Sequence, residues 1–505
     1  MATTRDYNAA VDLIERNLAA GRGDKTAYID DSGSTTYAQL AERVDRATNA
    51  LRGLGIKREQ RIAIAMLDSA DWVALFLGAI KAGVVPVALN TLLTPADYEY
   101  QLNDSRARAL FFSSALAKSF DGIQPKCRHL KYVVNDAQLK DLLATADSKA
   151  EPAGTMRDDM CFWLYSSGST GAPKGTVHLH SHLIDTADLY AKPVLGIRES
   201  DVVFSAAKLF FAYGLGNSLT FPLAVGATTI LMAERPTPDA VFKRLVSAGK
   251  PTIFYGVPTL YAALLVSSNF PKKDQLSLRI CTSAGEALPA EIGKRWTERT
   301  GTELLDGIGS TEMLHIFLSN RPGDVRPGTT GKPVLGYQLR LVDDQGNVIT
   351  KPGELGELQI SGPTSAIMYW NQREKTKNTF QGPWTRSGDK YSVDKDGYYA
   401  YGGRSDDMLK VSGIYVSPVE VEAALITHEA VLEAAVVGAE DESKLVKPKA
   451  YVVLKPGTSS SDALKAALQQ HVKDKLAPYK YPRWIEFLNE LPKTATGKIQ
   501  RFKLR

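Results

Sequence analysis

The stretch that decides the fold is RIAIAMLDSADWVALFLGAIKAGVVPVAL, residues 61–89. Within it, an apolar run from Ile62 to Met66 is bounded by turn residues and predicts a buried strand, and Val84 to Leu89 predicts a second strand. Between them, Asp71 to Gly83 has the length and the apolar spacing of a helix. A strand, a helix and a strand of these lengths favour parallel strands covered by helices. The sequence therefore predicts an α/β fold built on a largely parallel sheet.

The same alternation of helices and strands continues on both sides of this stretch. Apolar residues recur at helical spacing from Asn8 to Leu18 and from Tyr37 to Leu54, which predicts two further helices. Later apolar runs bounded by turn residues predict more strands, at Phe204, Thr228 to Met232, Thr252 to Tyr255 and Leu278 to Ser283. We therefore expect two sheet-and-helix subdomains in the first part of the chain.

The pattern changes after about Gly331, where frequent glycines separate short alternating runs. Such runs are typical of turns and antiparallel strands, so we expect a β-rich subdomain at about 331–405. It would complete a large N-terminal domain of residues 1–405. Residues 406–505 have an apolar pattern of their own and predict a small α+β domain, joined to the large one by a glycine-rich, charged segment that resembles a hinge.

Composition and charge exclude several classes of protein. The 505 residues are 44% hydrophobic and 23% charged, as in ordinary globular proteins. A net charge of +5 over this length does not indicate a nucleic-acid-binding surface. Cys127, Cys161 and Cys281 are too far apart for a disulfide framework or a zinc spacing, which fits a reducing compartment. The most apolar stretch, Trp72 to Leu89, is short and interrupted, so we expect no membrane span and a cytoplasmic location.

The strongest chemical signal is a glycine- and hydroxyl-rich loop, YSSGSTGAPKG, at residues 165–175. It follows the apolar run Cys161 to Leu164 and therefore leaves a buried strand. Its glycines let backbone N–H groups converge on an anion, and its hydroxyls add donors. Lys174 adds a charge suited to phosphate, whereas Gly175 after it excludes the ATPase phosphate-loop pattern. We interpret the segment as a polyphosphate-binding loop of another kind; the alternative on composition alone is a flexible turn.

This loop resembles the signature loop of the adenylate-forming superfamily, which includes acyl-CoA synthetases, peptide-synthetase adenylation domains and luciferases. Four more segments resemble motifs of that family in the expected order: DGIGSTE (306–312), WTRSGD (384–389), GRSDDMLK (403–410) and PKTATGKI (492–499). One such match would be weak, but five in order over nearly the whole chain are specific.

The resemblance implies an enzyme that joins a carboxylate to the α-phosphate of ATP and then passes the acyl group to coenzyme A. It implies ATP, Mg²⁺ and coenzyme A as requirements, Glu312 as the Mg²⁺ ligand, and Lys174, Glu312 and Lys498 as catalytic residues. Taken alone, Glu312 would be a solvated acid and Lys498 part of a basic tail. The residues that the resemblance assigns to ATP are Ser166, Ser167, Gly168, Ser169, Thr170, Gly171, Lys174, Gly285, Glu286, Ala287, Asp306, Gly307, Ile308, Thr311, Asp389 and Arg404.

The small domain of the family rotates between the two half-reactions, and the resemblance makes Asp406 the hinge of a mobile domain. Lys498 is then implied to serve adenylation. The residues implied to line the coenzyme A site in the second conformation are Lys410, Ser412, Gly413 and Ile414.

The choice of acid is read from KLFFAYGLG, residues 208–216, which combines aromatic with small residues. Flat aromatic walls suit a planar ring, although such stretches are more often core. With residues 306–315, this segment is most similar to the benzoate and hydroxybenzoate CoA ligases. The residues implied to bind the aromatic carboxylate are Phe211, Ala212, Tyr213, Gly307, Ile308 and His315. Ile308 departs from the family, which usually has an aromatic residue there to stack on adenine.

Other functions stay open at this point. A medium-chain acyl-CoA synthetase, a stand-alone adenylation enzyme that loads a carrier-protein thiol, and a nucleotide-binding regulatory protein are the alternatives. The sequence leaves open whether the protein forms a homodimer and whether an acyltransferase regulates it through Lys498, where acylation would remove a charge. His178, His180 and His182 alternate, so on a strand they would share a face as metal ligands do, although a structural role is the favoured interpretation.

Overall fold

A computed structural model describes residues 6–166, 173–405, 407–411, 414–442, 445–493 and 499–505. The strands of these residues, in chain order, are β1 (Thr26–Asp30), β2 (Gly33–Thr36), β3 (Arg61–Ala65), β4 (Val85–Ala88), β5 (Ala109–Phe112), β6 (Tyr132–Asn135), β7 (Met160–Ser166), β8 (Lys174–Leu179), β9 (Val202–Ser205), β10 (Thr228–Ile230), β11 (Ile253–Gly256), β12 (Ile280–Ser283), β13 (Leu304–Gly309), β14 (Ile316–Ser319), β15 (Lys332–Pro333), β16 (Gln338–Val342), β17 (Gly356–Ser361), β18 (Met368–Tyr369), β19 (Phe380–Gln381), β20 (Trp384–Val393), β21 (Tyr399–Arg404), β22 (Leu409–Val411), β23 (Ile414–Val416), β24 (Val431–Glu440), β25 (Val446–Leu454) and β26 (Trp484–Phe487). The helices are α1 (Ala9–Ala19), α2 (Tyr37–Gly53), α3 (Ala70–Lys81), α4 (Pro95–Ser105), α5 (Ala117–Phe120), α6 (Asp136–Thr145), α7 (His180–Thr186), α8 (Ala212–Leu215), α9 (Phe221–Val225), α10 (Pro238–Leu245), α11 (Pro258–Val266), α12 (Ala290–Thr300), α13 (Arg373–Thr379), α14 (Pro418–Ile426) and α15 (Asp462–Lys475).

The first sheet has the strand order β18-β8-β7-β4-β3-β5-β6. Its strands from β7 to β6 pair in parallel, and β8 and β18 add an antiparallel edge. Residues 61–89 form β3, α3 and β4, so the predicted strand–helix–strand unit is confirmed, with ends shifted by one or two residues.

The second sheet has the order β15-β14-β13-β12-β11-β9-β10-β1-β2. From β1 to β13 its neighbouring strands are parallel, which confirms the predicted α/β class. The strand predicted from Thr228 to Met232 is shorter, because β10 ends at Ile230.

Alternate residues of each sheet face two different cores. Ile62 and Ile64 of β3 pack in a cluster that both sheets share with α1, α2 and α3, while Ala63 and Ala65 face the outer helix α4. Every residue of α3 except Asp71 is buried, because this helix lies between the two sheets. This position explains a helix that is apolar on all sides. Among the described residues, the helices are too short or too polar to cross a bilayer.

A third, antiparallel sheet follows, with the order β16-β17-β20-β19 and β21 paired to β20. It confirms the predicted β-rich character of this part of the chain. Antiparallel pairing places residues of β20 and β21 directly opposite each other, which matters for the site described below.

The described residues from 407 onward form the hairpin β22–β23, the sheet β24-β25-β26 and helices α14 and α15 around a separate core. Helix α14 begins where the sequence indicates, because Pro418 occupies its first position and the Ser417 hydroxyl accepts from Glu420 N at 3.2 Å. In the same way Ser461 caps α15. A smaller C-terminal α+β domain is thus confirmed. The boundary at residue 406 lies outside the described residues and stays a prediction.

Candidate active site

Three polar side chains meet where β8 and β18 pair at the edge of the first sheet. The Tyr369 hydroxyl donates to Glu312 Oε1 at 2.7 Å, and the Lys174 ammonium donates to the Tyr369 oxygen at 3.3 Å. Lys174 Nζ also lies 4.4 Å from the centre of the Tyr369 ring, a cation–π contact. Burial lowers the pKa of Lys174 and raises that of Tyr369, so the phenol stays protonated. A cation and an acid are thereby held together at the end of the phosphate-loop segment.

The turn that carries Glu312 is held by the segment that leads into β18. The backbone N–H of Ala366 donates to the Glu312 carbonyl at 2.7 Å. The Thr364 hydroxyl donates to the carbonyl of Met313 at 2.8 Å. The acid is therefore fixed through its own backbone and its neighbour's.

His178 holds the same turn from β8. Its Nε2 lies 2.8 Å from the Thr311 carbonyl oxygen, and because a carbonyl only accepts, this nitrogen carries the proton. Burial lowers the pKa of His178 to about 4, so the ring is neutral. His178, His180 and His182 do not share one strand face, because β8 ends at Leu179 and α7 begins at the next residue. Where the chain is described, three or more His, Cys, Asp or Glu residues are nowhere grouped to hold a metal.

Two tyrosines fasten the ends of the phosphate-loop segment to α4. The Tyr100 hydroxyl donates to the carbonyl of Pro173 at 3.1 Å, and the Tyr165 hydroxyl donates to Asp104 Oδ2 at 2.7 Å. Ser166 ends β7 and is buried, and its hydroxyl has no partner among the described residues, which leaves it for a ligand. The predicted loop residues that lie outside the described ranges are Ser167, Gly168, Ser169, Thr170 and Gly171.

Asp389 and Arg404 lie opposite each other across the β20–β21 pair. Arg404 Nη1 donates to Asp389 Oδ1 at 3.3 Å and to the Ser387 carbonyl at 3.0 Å. Burial is the main cause of the lowered pKa of Lys174, and the positive charge of Arg404 lowers that pKa further. The structure therefore brings the predicted ribose-binding pair close to the predicted phosphate-binding lysine.

Residues 285–287 follow β12, at the same sheet edge as the end of β13. Gly285 has a φ of 100°, which favours glycine and lets the chain turn away from the strand. Glu286 Oε1 accepts from the backbone N–H of Ile499 at 2.8 Å, which links this segment to the small domain. Asp306 on β13 is buried, which raises the pKa of its carboxyl well above the usual range, and its Oδ1 has no partner among the described residues.

The segment predicted to bind the acid forms a short helix followed by a π turn. Phe211 precedes α8, Ala212 and Tyr213 begin it, and residues 216–220 form the π turn, a feature frequent at functional sites. The Tyr213 hydroxyl lies 2.5 Å from Thr282 Oγ1 on β12. Gly307 and Ile308 belong to β13, the next strand along, so strand order brings the predicted aryl-binding residues together.

His315 lies against this helix. Its Nε2 is 3.3 Å from the Tyr213 carbonyl and 3.2 Å from Asn217 Oδ1, and because both only accept, Nε2 carries the proton. Burial lowers the pKa of His315 to about 3, so Nδ1 is an acceptor, and it has no partner among the described residues. Gly216 permits this approach, since a Cβ there would lie 2.3 Å from His315 Cδ2.

Asp68, which the sequence did not single out, ties the aromatic segment to the first sheet. It follows β3, is 3% exposed, and accepts from the backbone N–H of Leu209 at 3.2 Å. Burial raises the pKa of this carboxyl to about 6, although the charge of Lys208 opposes the shift. Between about pH 4 and pH 6, the Asp68 carboxyl is therefore protonated in the folded protein and ionised in the unfolded chain.

We expect this group to make the protein less stable as the pH rises from about 4 to about 7. A carboxyl whose pKa is higher in the folded state contributes stability below its unfolded pKa and loses it as the pH passes the folded value. The loss should be about 3 kcal/mol at most. Asp68→Asn keeps an acceptor for Leu209 and should remove this loss. In denaturant unfolding, the difference in stability between the variant and the wild type should therefore change by up to about 3 kcal/mol between pH 3.5 and pH 7.5. An identical pH dependence in both proteins would contradict the assignment.

Several predicted residues are located only in part. Lys410 and Ile414 belong to the backbone of the β22–β23 hairpin. The others with predicted roles in the small domain lie outside the described residues: Asp406, Ser412, Gly413 and Lys498. Conversely, sequence reasoning missed Tyr369, for which no motif stood out; only its pairing with β8 brings it to the site.

The chain resembles known proteins over nearly its whole length. Residues 15–370 match the family model described as AMP-binding enzyme, and residues 420–498 match that of the AMP-binding enzyme C-terminal domain. The sequence is 65% identical over 505 residues to the benzoate–CoA ligase of Thauera aromatica, which covers 99% of this chain and 96% of that protein.

Solved structures give the same picture. A benzoate CoA ligase from Burkholderia xenovorans LB400 superposes with a TM-score of 0.94 at 58% identity, covering 99% of this chain and 100% of that one. An anthranilate CoA ligase solved in complex with anthranoyl-AMP gives a TM-score of 0.95 at 47% identity, covering 99% of this chain and 97% of that one.

Proposed function

The chain belongs to the AMP-binding enzyme family, and from that premise we propose that it is an aryl acid:CoA ligase. It would activate benzoate or a substituted benzoate with ATP as an aryl-AMP, release pyrophosphate, and then transfer the aryl group to coenzyme A. The observation that carries this proposal is the near full-length likeness to the benzoate–CoA ligase of Thauera aromatica.

The first half-reaction answers a chemical difficulty. A carboxylate resists attack because its leaving group would be oxide. One of its oxygens therefore attacks the α-phosphorus of ATP, the bond to pyrophosphate breaks, and AMP becomes the leaving group. Negative charge collects on the phosphate oxygens, so the site needs positive groups aimed at them. Lys174 and the loop containing Ser166 would bind those oxygens, and Lys498 would hold the carboxylate and the α-phosphate.

The residues present fit a Mg²⁺ ion. A carboxylate oxygen is the hard donor that this ion prefers, and Tyr369 donates to Glu312 Oε1, while Oε2 receives no hydrogen bond from any described residue. Bound at Glu312, Mg²⁺ would neutralise charge on the phosphate oxygens.

Asp389 would accept hydrogen bonds from the ribose hydroxyls, and Arg404 would donate nearby. Their position opposite each other and close to Lys174 supports this role. The segment at 285–287, with Asp306, Gly307, Ile308 and Thr311, would hold the rest of the nucleotide. Because Ile308 is aliphatic, adenine would gain only apolar contact from it.

Phe211, Ala212, Tyr213 and Ile308 would enclose the aromatic ring. The unpartnered Nδ1 of His315 is an acceptor, so it would favour a ring substituent that donates, such as a hydroxyl or an amine.

In the second half-reaction the coenzyme A sulfur attacks the aryl carbonyl, loses its proton, and expels AMP. We assign the change of small-domain position to Asp406 and the pantetheine contacts to Lys410, Ser412, Gly413 and Ile414, as the family resemblance implies. The hydrogen bond from Ile499 N to Glu286 supports an adenylation role for Lys498, because it places the residue after that lysine against the nucleotide segment.

The cellular setting completes the proposal. The three cysteines are buried and unpaired, which fits a reducing, cytoplasmic location. Acylation of Lys498 by an acyltransferase would remove a charge from the adenylating group and so switch off the first half-reaction. A homodimer is compatible with this chemistry, which needs no second subunit.

A panel of acids tests the proposal. With ATP, Mg²⁺ and coenzyme A, we expect benzoate or a hydroxy- or aminobenzoate to be converted to the thioester at least tenfold more efficiently than phenylacetate or hexanoate. One extra or missing methylene in a hydrophobic pocket already costs about 1–3 kcal/mol, or roughly 10–200-fold. Preference for hexanoate would overturn the aryl assignment, and thioester formation on a carrier protein but not on coenzyme A would favour a stand-alone adenylation enzyme.

A further inference from the structure

The contacts around Glu312 contain an arrangement that the proposed function does not by itself require. Lys174 and Glu312 carry opposite charges and lie on either side of one phenol, yet they form no direct ion pair with each other, although both are described. An ammonium only donates hydrogen bonds and a carboxylate only accepts them, so the direction of both hydrogen bonds is set. Lys174 donates to the Tyr369 oxygen, and the Tyr369 hydroxyl donates to Glu312 Oε1.

Tyr369 is rigidly placed for this task. Its backbone pairs with Thr176 on β8, the strand that begins with Lys174. The Thr376 hydroxyl lies 3.1 Å from Tyr369 N and 3.2 Å from its carbonyl, and the ring packs on Phe380 with centroids 5.2 Å apart. The phenol oxygen therefore has little freedom to move away from either partner.

The next residue adds a second anchor. The backbone N–H of Trp370 donates to Gly175 at 2.7 Å, and its ring packs on Trp163 at 4.6 Å. The guanidinium groups of Arg61 and Arg106 lie 5.2 Å and 5.5 Å from the Trp370 ring. Tyr369, the last residue of β18, and Trp370, which follows it, are thus both held to β8, the strand that carries the phosphate-binding lysine.

We propose that Tyr369 is a positioning residue that keeps Lys174 and Glu312 apart and holds each side chain in place. This inference rests on the proposed function. Its hydroxyl occupies Glu312 Oε1 and leaves Oε2 to bind the metal as a single-oxygen ligand. It also holds the ammonium beside the acid without letting the two charges pair directly. Without the hydroxyl, Lys174 and Glu312 can form a direct ion pair. That pair would compete with the phosphates for Lys174 and with the metal for Glu312.

Tyr369→Phe tests this, because it removes the hydroxyl and keeps the ring against Lys174 and Phe380. Tyr7→Phe is the matched control, because the Tyr7 hydroxyl donates to Asp12 Oδ2 at 2.6 Å and the Arg157 guanidinium lies 5.0 Å from the Tyr7 ring. The variant loses the same kind of hydroxyl–carboxylate hydrogen bond and keeps the ring beside a cation, away from Lys174 and Glu312. The first readout is binding of Mn²⁺ in the presence of ATP, measured by electron paramagnetic resonance. The others are the KM values of Mg·ATP and benzoate and thermal unfolding.

We expect Tyr369→Phe to weaken Mn²⁺ binding and raise the KM of Mg·ATP about tenfold, the usual effect of losing a hydrogen bond to a charged group. The KM of benzoate, and thioester formation from supplied benzoyl-AMP and coenzyme A, should not change. Tyr7→Phe should leave Mn²⁺ binding, both KM values and thioester formation from supplied benzoyl-AMP at the wild-type level.

Unchanged Mn²⁺ binding in Tyr369→Phe would overturn the proposal. So would an equal fall in both half-reactions with a larger loss of thermal stability than in the control, because that is the signature of a merely structural tyrosine. If the wild type forms no aryl-AMP, the proposed function fails, and the Mn²⁺ comparison still decides the role of Tyr369.

Discussion

Replacing Lys498 with alanine should reduce aryl-AMP formation by roughly 10²–10³-fold, the effect of removing one preorganised donor from a developing charge. Thioester formation from supplied aryl-AMP and coenzyme A should survive. The reason is that the lysine would hold the carboxylate and α-phosphate only while the first bond forms. Pyrophosphate release measures the first step, and thioester appearance from synthetic benzoyl-AMP measures the second.

Lys503→Ala is the matched control, because it removes a lysine from the same C-terminal segment. It should leave both half-reactions near the wild-type rate. An equal loss of both steps in Lys498→Ala, or adenylation that survives, would contradict the assigned role.

The second large effect concerns the small domain. Arg501 binds Glu422 through two hydrogen bonds from Nη2, the shorter at 2.7 Å to Oε2, and the Glu422 side chain is only 8% exposed. Glu422 Oε1 also accepts from Val436 N at 2.7 Å, which joins helix α14 to strand β24. Arg501→Met would leave a buried carboxylate without its cation. Breaking such a pair from one side costs about 3–5 kcal/mol.

We therefore expect Arg501→Met to unfold the small domain at a markedly lower temperature, measured by calorimetry or by hydrogen exchange of the β24 amides. Arg505→Met is the control, because Arg505 pairs with Asp407 at a more exposed position, where an ion pair contributes at most about 1 kcal/mol. Equal shifts in the two variants would show that the Arg501–Glu422 pair is not the main support of this domain.

Much of the fold was predictable because its signals are local. Helix α14 starts at Pro418 and α15 at Asp462, since a serine precedes each and accepts from a backbone N–H of the first turn. The strand–helix–strand unit of β3, α3 and β4 follows from apolar runs of the right length. What the runs could not show is that α3 lies between two sheets, because an apolar helix is equally compatible with one sheet and an outer layer.

The histidines at 178–182 show where a local pattern misleads. On a strand, their alternation would place them on one face, but the strand ends at Leu179 and the helix brings His182 Nδ1 to 3.0 Å from His178 Nδ1. The position of a strand end depends on what packs beyond it, which period alone does not contain.

Some residues of the candidate site could likewise be predicted from local sequence, and others could not. Glu312, Asp389 and Arg404 lie in segments with recognisable motifs, and the structure places Asp389 opposite Arg404 as β-pairing requires. Tyr369 carries no such signal, since 195 residues separate it from Lys174 and 57 from Glu312. Its contacts exist only through the pairing of β18 with β8, and pairing between distant strands cannot be read from either strand alone.

Exchange of labelled pyrophosphate into ATP tests the central claim most directly, because it reports acyl-adenylate formation without the second half-reaction. With Mg²⁺ and no coenzyme A, we expect exchange that depends on benzoate or a substituted benzoate and stops when the acid is omitted. No acid-dependent exchange with any aromatic or aliphatic carboxylate, from a protein that is folded and binds ATP, would contradict the account.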